Sequence, residues 1–394
     1  VLSWQQEHGL KGTFRGIEGL RGWLAWTVVA SHIFQGMAVW RYVRAGPVIA
    51  AGNDAVFTFI VISGFVITHL IVTRPEPYPA YIGRRFLRLF PVYLVCLAIG
   101  VITTIGFDQA ILAQPWGAQS PPLDEFNRQI ISLHAHPYAH LLAHLTMLHG
   151  LIPDQVLDNA SLIFLSPAWS LSLEWQFYLV APLIIAAAQR PRGALLLTTV
   201  FLPAYALYWT GHLGTYGAPW GHPSVLFGAA PLFALGIATR LAVTMLPALH
   251  RYPLAPVLWL VGCIALVDRD AVFAGIWLAM VPYMLLHQPA DRVSQAIDRT
   301  LHALLDSRIA LWLGQRSYTT YLIHFPVVQA IIWACARGGL AYWPSVAVLA
   351  AGTVLLTLIA SDVIHRLVEQ PGIALGKRMW RSSGRQTGPA VRVG

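Results

Sequence analysis

Apolar residues in this chain come in long runs, separated by short stretches of Arg, Pro, Gly and polar residues. A helix needs about 20 mostly apolar residues to cross a hydrocarbon core. Runs of that kind fall at about 20–39, 55–73, 86–107, 167–188, 193–210, 224–243, 253–267, 271–288, 316–335 and 343–366. The pattern predicts an all-α fold, a polytopic transmembrane helix bundle of ten spans. The connections sort by charge. Arg74, Arg84, Arg85 and Arg88 fall in the second, Arg190 and Arg192 in the fourth, and Arg292, Arg299 and Arg308 in the eighth. With Lys377, Arg378, Arg381, Arg385 and Arg392 of the tail, all lie on one side if both termini are cytoplasmic. That is the expected positive-inside bias. The opposite side receives sparser charge, such as Asp108, Asp124, Glu125 and Arg128.

One long insertion, 108–166, breaks the rhythm on the outer side. It holds Pro115, Pro121, Pro122 and Pro137, then HLLAHLTMLHGLI at 140–152, a piece short for a full span. A re-entrant or interfacial helix is expected there, with the insertion meeting the acceptor substrate. The membrane domain is expected over 1–375, followed by a basic, disordered tail over 376–394.

Composition supports this reading. Of 394 residues, 56% are hydrophobic and 11% charged, and the mean hydropathy is +0.59. A soluble domain carries about 25% charged residues, so lipid must be part of the solvent here. The net charge of +9 forms no basic stripe outside the membrane flanks, and no nucleic-acid partner is expected. Cys96, Cys263 and Cys335 fall in apolar runs and read as reduced, buried residues. His134, His136, His140, His144 and His149 form a series. No carboxylate or cysteine interleaves with it, so no metal centre is expected.

Four constellations carry candidate chemistry. Arg21 and His32 stand eleven residues apart in the first span. Eleven steps of a helix return to within about 20° of the start and rise roughly 16 Å. Both therefore share a face, with Arg21 at the interface and His32 near the midplane. A midplane histidine must look into the bundle, and imidazole moves protons near neutral pH. Arg84, Arg85 and Arg88 share a face at the start of the third span. Their guanidinium forks suit the phosphates of coenzyme A, or they anchor the helix at the interface. Glu174 is a carboxylate inside an apolar span. It suits orienting His32 or pairing with a buried arginine. Arg316 and His324 flank a Ser/Thr/Tyr-rich stretch opening the ninth span. His324 and Tyr318 there, and Ser63 in the second span, are candidate substrate contacts.

These segments resemble, in order, those of the acyltransferase-3 family of membrane proteins. IEGLRGWLAWTVVASH at 17–32 is similar to the family's first-helix segment. FTFIVISGFVIT, RRFLRLFPVYLV, PAWSLSLEWQFYLVAPL, LGQRSYTTYLIHFPV and HRLVEQP are similar to its later ones. The resemblance covers about residues 16–372. It implies that His32 is catalytic with Arg21 as its partner, and that Arg85 and Arg88 hold the acyl donor. Many relatives have an Asp where this chain has Phe57, with Asp54 nearly one turn earlier.

The resemblance implies an acyl-CoA-dependent O-acyltransferase using acetyl-CoA as co-substrate. The acceptor is then a hydroxyl of a glycan, glycolipid or glycoside. The expected setting is the bacterial inner membrane. His32 would act as general base or transient acyl carrier. The rival class is a transporter, for which intramembrane His, Arg and Glu are also typical.

Overall fold

The computed structural model describes residues 4–209, 223–245, 276–277, 280 and 292–380. The described residues form helices and their connections, without strands. In chain order the helices are α1 (Trp4–Gly36), α2 (Gly46–Thr73), α3 (Tyr78–Ala113), α4 (Leu123–Ala135), α5 (Pro137–Leu145), α6 (Trp169–Ala188) and α7 (Pro191–Trp209). There follow α8 (Ala230–Met245), α9 (Arg292–Leu305), α10 (Arg308–Gln315), α11 (Ser317–Arg337), α12 (Tyr342–Ile364) and α13 (Gln370–Met379). A π-helical turn, His365–Glu369, joins α12 to α13.

Among the described residues, five helical segments are long and apolar enough to cross a membrane: Gly46–Thr73, Tyr78–Ala113, Ser166–Ala188, Ser317–Arg337 and Tyr342–Met379. Shorter apolar helices lie at Pro191–Leu207 and Ala230–Leu241. Eight of the ten runs predicted from hydropathy fall on described helices, these seven and α1, which is longer but laced with polar residues. The predicted spans 253–267 and 271–288 lie outside the described residues, apart from 276, 277 and 280, and so does Cys263. The helices overrun the predicted limits, with α1 starting at Trp4 and α3 running from Tyr78 to Ala113. Hydropathy registers the part of a helix that lipid solvates, whereas backbone hydrogen bonding continues past it into polar sequence. For the same reason α13 crosses the boundary placed at residue 375. Residues 381–394 of the predicted tail lie outside the described residues.

Small residues let the helices approach to backbone contact, as expected where lipid removes the hydrophobic drive between helices. A Cβ built on Gly236 of α8 would stand 2.1 Å from the Val61 carbonyl oxygen of α2. One built on Gly64 of α2 would stand 2.6 Å from the Phe233 carbonyl oxygen. Tyr78 at the start of α3 donates to the Leu179 carbonyl late in α6 (3.0 Å). Trp380, just past α13, lies against Gly83 near the start of α3. The starts of α3 and α11 and the ends of α2, α6 and α12 therefore share one end of the bundle. Arg74, Arg84, Arg85, Arg88, Arg190, Arg308, Lys377 and Arg378 gather there.

The insertion folds at the other end. Its α5 has nine residues, a rise of about 13 Å, well short of the hydrocarbon thickness. The chain after it returns into the bundle. Met147, Ala160 and Leu165 are fully buried. Thr104 of α3 donates to the Phe164 carbonyl (3.3 Å), which lies beside Gly100. Met147 and Phe164 hold φ of 57° and 60°, a left-handed conformation that bulky side chains keep only when packing over-determines it.

Three histidines of this segment are buried. The rings of His144 and His149 stack at 4.1 Å, and Tyr93 donates to the His144 carbonyl (2.9 Å). His140 bonds Ser132 through Nε2 (2.9 Å). Burial pushes His140 and His144 down to about 4 and His149 well below its usual value. The neighbouring His136 lowers His140 further, and Ser132 and Asp158 partly offset this. The unfolded segment binds protons near pH 6.5 and the folded one only near pH 4. Acid therefore favours unfolding across that window. Hydrogen exchange over 137–165 should be slow at pH 7.5 and accelerate progressively below about pH 6.5. A double variant, His144→Phe with His149→Phe, should flatten the dependence. An exchange rate insensitive to acid, after correction for intrinsic chemistry, would contradict this account.

Candidate functional site

A cleft between α1, α2, α3, α6, α8 and α11 gathers residues widely separated in sequence. Arg21, Ser63, Arg85, Arg88, Glu174, Tyr178, Tyr318 and Tyr321 line it, with Phe59, Phe233 and aliphatic side chains between them. Six residues predicted from sequence thus meet at one place: Arg21, Ser63, Arg85, Arg88, Glu174 and Tyr318. Arg84 does not line the cleft and instead pairs with Glu76 (2.9 Å). His32 and His324 lie beyond it.

Each side chain is placed by its helix. Arg85 and Arg88, three apart on α3, turn the same way into the cleft. Glu174 and Tyr178 are four apart on α6, and the Tyr178 hydroxyl donates to the Glu174 carboxylate. Ser63 donates to the same carboxylate oxygen from α2 (2.9 Å). The Arg85 guanidinium lies over the Tyr178 ring, 5.9 Å from its centroid. Tyr318 donates to the Leu89 carbonyl (2.8 Å), tying α11 to α3 one residue past Arg88. Glu174 was expected to orient His32 or to pair with an arginine. Its described hydrogen bonds come from two hydroxyls instead. It shares the cleft with Arg85, and His32 takes its partners elsewhere.

No described carboxylate lies within ion-pair distance of Arg21, Arg85 or Arg88. Three guanidinium groups therefore converge on a partly enclosed cleft whose Glu174 carboxylate stands out of ion-pair reach and already accepts from two hydroxyls. Buried arginine is normally paired, so the cleft is electrostatically complementary to an anion. Guanidinium forks match phosphate oxygens in particular.

The deep end of the cleft is closed by hydroxyl groups. Tyr321 donates to the Pro167 carbonyl (2.9 Å) and contacts Ser170 (2.7 Å). The next histidine along α11 is His324, its ring centroid 6.2 Å from that of Tyr321. His324 Nε2 stands 3.2 Å from His32 Nδ1. The two rings are 5.0 Å apart, and Phe325 meets His32 edge-on at 5.4 Å. The cleft thus runs from arginines at the basic end to a histidine pair past its floor.

Other predicted residues hold the frame. Arg316 is buried, donates to Asp362 (2.7 Å) and stacks on Trp312 at 4.1 Å. His365 bonds Glu369 (2.7 Å), which also accepts from Thr319 (2.9 Å). These contacts join α11 to the end of α12. Among the described residues no group of three or more His, Cys, Asp or Glu is arranged to hold a metal. Cys96 and Cys335 are free and buried. Tyr178 escaped the sequence reading, although its spacing from Glu174 carried the signal. Ser170 and Tyr321 line the cleft beside it.

The fold is a helical bundle with a cationic, partly enclosed cleft beside a histidine pair, an arrangement suited to an anion. The family profile described as "Acyltransferase domain" matches residues 14–362, and the chain belongs to that family. It is 23% identical to O-acetyltransferase OatA of Staphylococcus aureus, over 91% of this chain and 57% of the relative. It is 23% identical to the putative peptidoglycan O-acetyltransferase YrhL of Bacillus subtilis, over 90% and 54%. It is 23% identical to acyltransferase MdmB of Streptomyces mycarofaciens, over 92% of each chain. The chain spans little more than half the length of the first two. No solved structure matches it.

Proposed function

We propose that this chain is a membrane O-acyltransferase using acyl-CoA, acetyl-CoA in the first place. The acceptor is a hydroxyl of a glycan, glycolipid or glycosylated metabolite. The observation that carries the reading is the convergence of Arg21, Arg85 and Arg88, none of them ion-paired with a described carboxylate, on a single cleft. Coenzyme A brings a pyrophosphate and a 3′-phosphate, anions of the kind such a cleft takes. The basic end of the bundle faces the cytoplasm of a bacterial inner membrane in this reading, where acyl-CoA is made. The relatives' names favour acetyl as the acyl group, and one names peptidoglycan, a carbohydrate polymer.

With the phosphates on the arginines, the pantetheine arm extends past Ser63 and Glu174 toward Tyr321. The thioester then lies close to the histidine pair. His32 Nδ1 is bonded to the Val28 carbonyl (3.1 Å), which leaves Nε2 as its reactive nitrogen. As general base, Nε2 takes the acceptor's proton while the hydroxyl oxygen bonds the acyl carbon. The carbon–sulfur bond breaks with its electron pair on sulfur, and the proton then passes to the thiolate. As acyl carrier, Nε2 itself bonds the acyl carbon first as the carbon–sulfur bond breaks and the thiolate leaves; the acceptor hydroxyl then takes the acyl group, the carbon–nitrogen bond breaks, and the hydroxyl proton passes to the thiolate. Both routes use the same nitrogen.

Donor truncation tests the binding assignment. Arg85→Ala and Arg88→Ala should each weaken acetyl-CoA binding by about 1.5–3 kcal/mol, the loss of a charge-assisted phosphate contact. Acetyl-pantetheine, which lacks the nucleotide phosphates, should be used almost equally by variants and parent. Isothermal titration and thiol-release rates on purified protein measure both. Equal losses with the two donors would show that the arginines support folding instead.

A further inference from the structure

The geometry of the two histidines fixes which nitrogens carry protons. His32 Nδ1 faces the Val28 carbonyl at 3.1 Å and His324 Nε2 at 3.2 Å. His324 Nδ1 faces the Thr320 carbonyl, also at 3.1 Å. A carbonyl oxygen only accepts, so each Nδ1 carries a hydrogen in the neutral ring. The second nitrogen of each neutral ring is then a bare lone pair. The hydrogen between the rings therefore belongs to His32 and is shared between Val28 and His324 Nε2. His32 Nε2 is left unprotonated.

We propose that His324 is the positioning residue of His32, and not a substrate contact. Its Nε2 accepts the His32 Nδ1–H, holds His32 in the tautomer with Nε2 free, and receives that proton when Nε2 forms a bond. The proposal deepens the acyltransfer reading and rests on it. The step balances. When Nε2 gains a proton or an acyl carbon, the ring becomes cationic and Nδ1–H becomes acidic. The proton moves to His324 Nε2, so the single positive charge passes to His324 and His32 stays neutral. It returns to Nδ1 when Nε2 releases its proton to the thiolate, or its acyl group to the acceptor.

The surroundings explain why an imidazole holds this place. His324 is fully buried. The described rings about the pair are His32 and Phe325, with Tyr321 one turn toward the cleft. No described carboxylate lies within ion-pair distance of either histidine. A carboxylate beside His32 would be a standing charge in the bilayer, costly unless paired. It would also favour a resting imidazolium, which has no lone pair on Nε2. A second neutral imidazole accepts the hydrogen bond without either penalty, and becomes charged only during the reaction.

Two measurements on the full-length protein in nanodiscs test the proposal. The first uses diethylpyrocarbonate, which acylates a bare imidazole nitrogen and needs no acceptor substrate. Carbethoxylation of His32, followed by peptide mass spectrometry, should slow about tenfold in His324→Phe, the lower end of effects seen on removing a histidine's outer partner. In His324→Gln it should stay within about threefold of the parent, because the amide oxygen falls where Nε2 was and still accepts from Nδ1. The second is thiol release from acetyl-CoA with chitotetraose as acceptor probe. His324→Phe should lower kcat by about 10²-fold at unchanged KM for acetyl-CoA, with the acid limb of the pH–rate profile displaced. His324→Gln should recover at least about tenfold of that loss. Equal carbethoxylation of His32 in His324→Phe and the parent would overturn the proposal. So would a rise in KM at constant kcat, the mark of a substrate contact. Absence of thiol release by the parent protein would sink the acyltransfer reading, while the carbethoxylation result would still decide the pairing.

Discussion

Replacing His32 by alanine is expected to reduce acyl transfer at least about 100-fold, the usual contribution of a positioned proton-transfer group. Acetyl-CoA affinity should stay within about threefold of the parent, since His32 makes no contact of the uniform-binding kind. The separation of effects follows from the geometry. The arginines line the cleft at its basic end, whereas His32 lies past Tyr321 and meets His324. A group on the reacting centre changes turnover, and a group on the phosphates changes binding. Equilibrium binding of acetyl-CoA and the steady-state rate of thiol release, measured on one preparation, resolve the two. Retention of more than about a tenth of the parental turnover would remove His32 from the chemistry.

Much of this arrangement was legible in the sequence because lipid imposes a simple rule on it. Apolar runs located α2, α3, α6, α11 and α12, and rare intramembrane charges marked the faces that line the cleft. Helical periodicity placed Arg85 with Arg88, and the same rule joins Glu174 to Tyr178. Periodicity says which residues share a face, but not which neighbour that face meets. Arg21 and His32 do share a face of α1. They nevertheless meet different partners, because roughly 16 Å of helix rise separates them. Ser63 bonds Glu174 across 111 positions of sequence, and His324 meets His32 across 292. Those pairings depend on how α1, α2, α6 and α11 pack, and no local pattern encodes that. Chemistry alone offered Glu174 either His32 or an arginine as its partner, while packing gives it the hydroxyls of Ser63 and Tyr178.

Helix ends were misplaced for a related reason. Arg84, Arg85 and Arg88 read as part of a charged connection, yet they sit inside α3, which begins at Tyr78. Their place on a regular helix gives Arg85 and Arg88 a fixed spacing and a common direction. It also lets Arg84 turn aside to Glu76. A loop would fix neither. The arginine-lined cleft thus depends on helix continuing beyond the apolar run, which hydropathy does not register.

The second large effect concerns the seam that holds Arg21. A Cβ on Gly19 would stand 1.8 Å from the Leu305 carbonyl oxygen, and one on Gly314 would stand 2.0 Å from that of Glu18. Gly22 meets the Gly314 backbone nitrogen in the same way, at 2.7 Å. The obstructing atoms are backbone, so no side-chain rotation relieves them. A methyl group on Gly19 must push α1 away from the end of α9, and one on Gly22 or Gly314 must push it away from α10; Arg21 lies between Gly19 and Gly22 on the segment that moves. Overpacking a core costs about 1–3 kcal/mol where side chains can adjust. Gly314→Ala is expected at or above the top of that range. It should lower the melting temperature in detergent and weaken acetyl-CoA binding together. Gly46 provides the control. It sits in the first turn of α2 with nothing within 4 Å of its Cβ position. Alanine is favoured over glycine in a helix by roughly 0.5–1 kcal/mol, so Gly46→Ala should melt at or above the parental temperature. Size-exclusion thermal melts of the two variants therefore shift in opposite directions. A Gly314→Ala protein that melts with the parent would show that α1 and α10 do not meet backbone to backbone, and that Arg21 is held by something else.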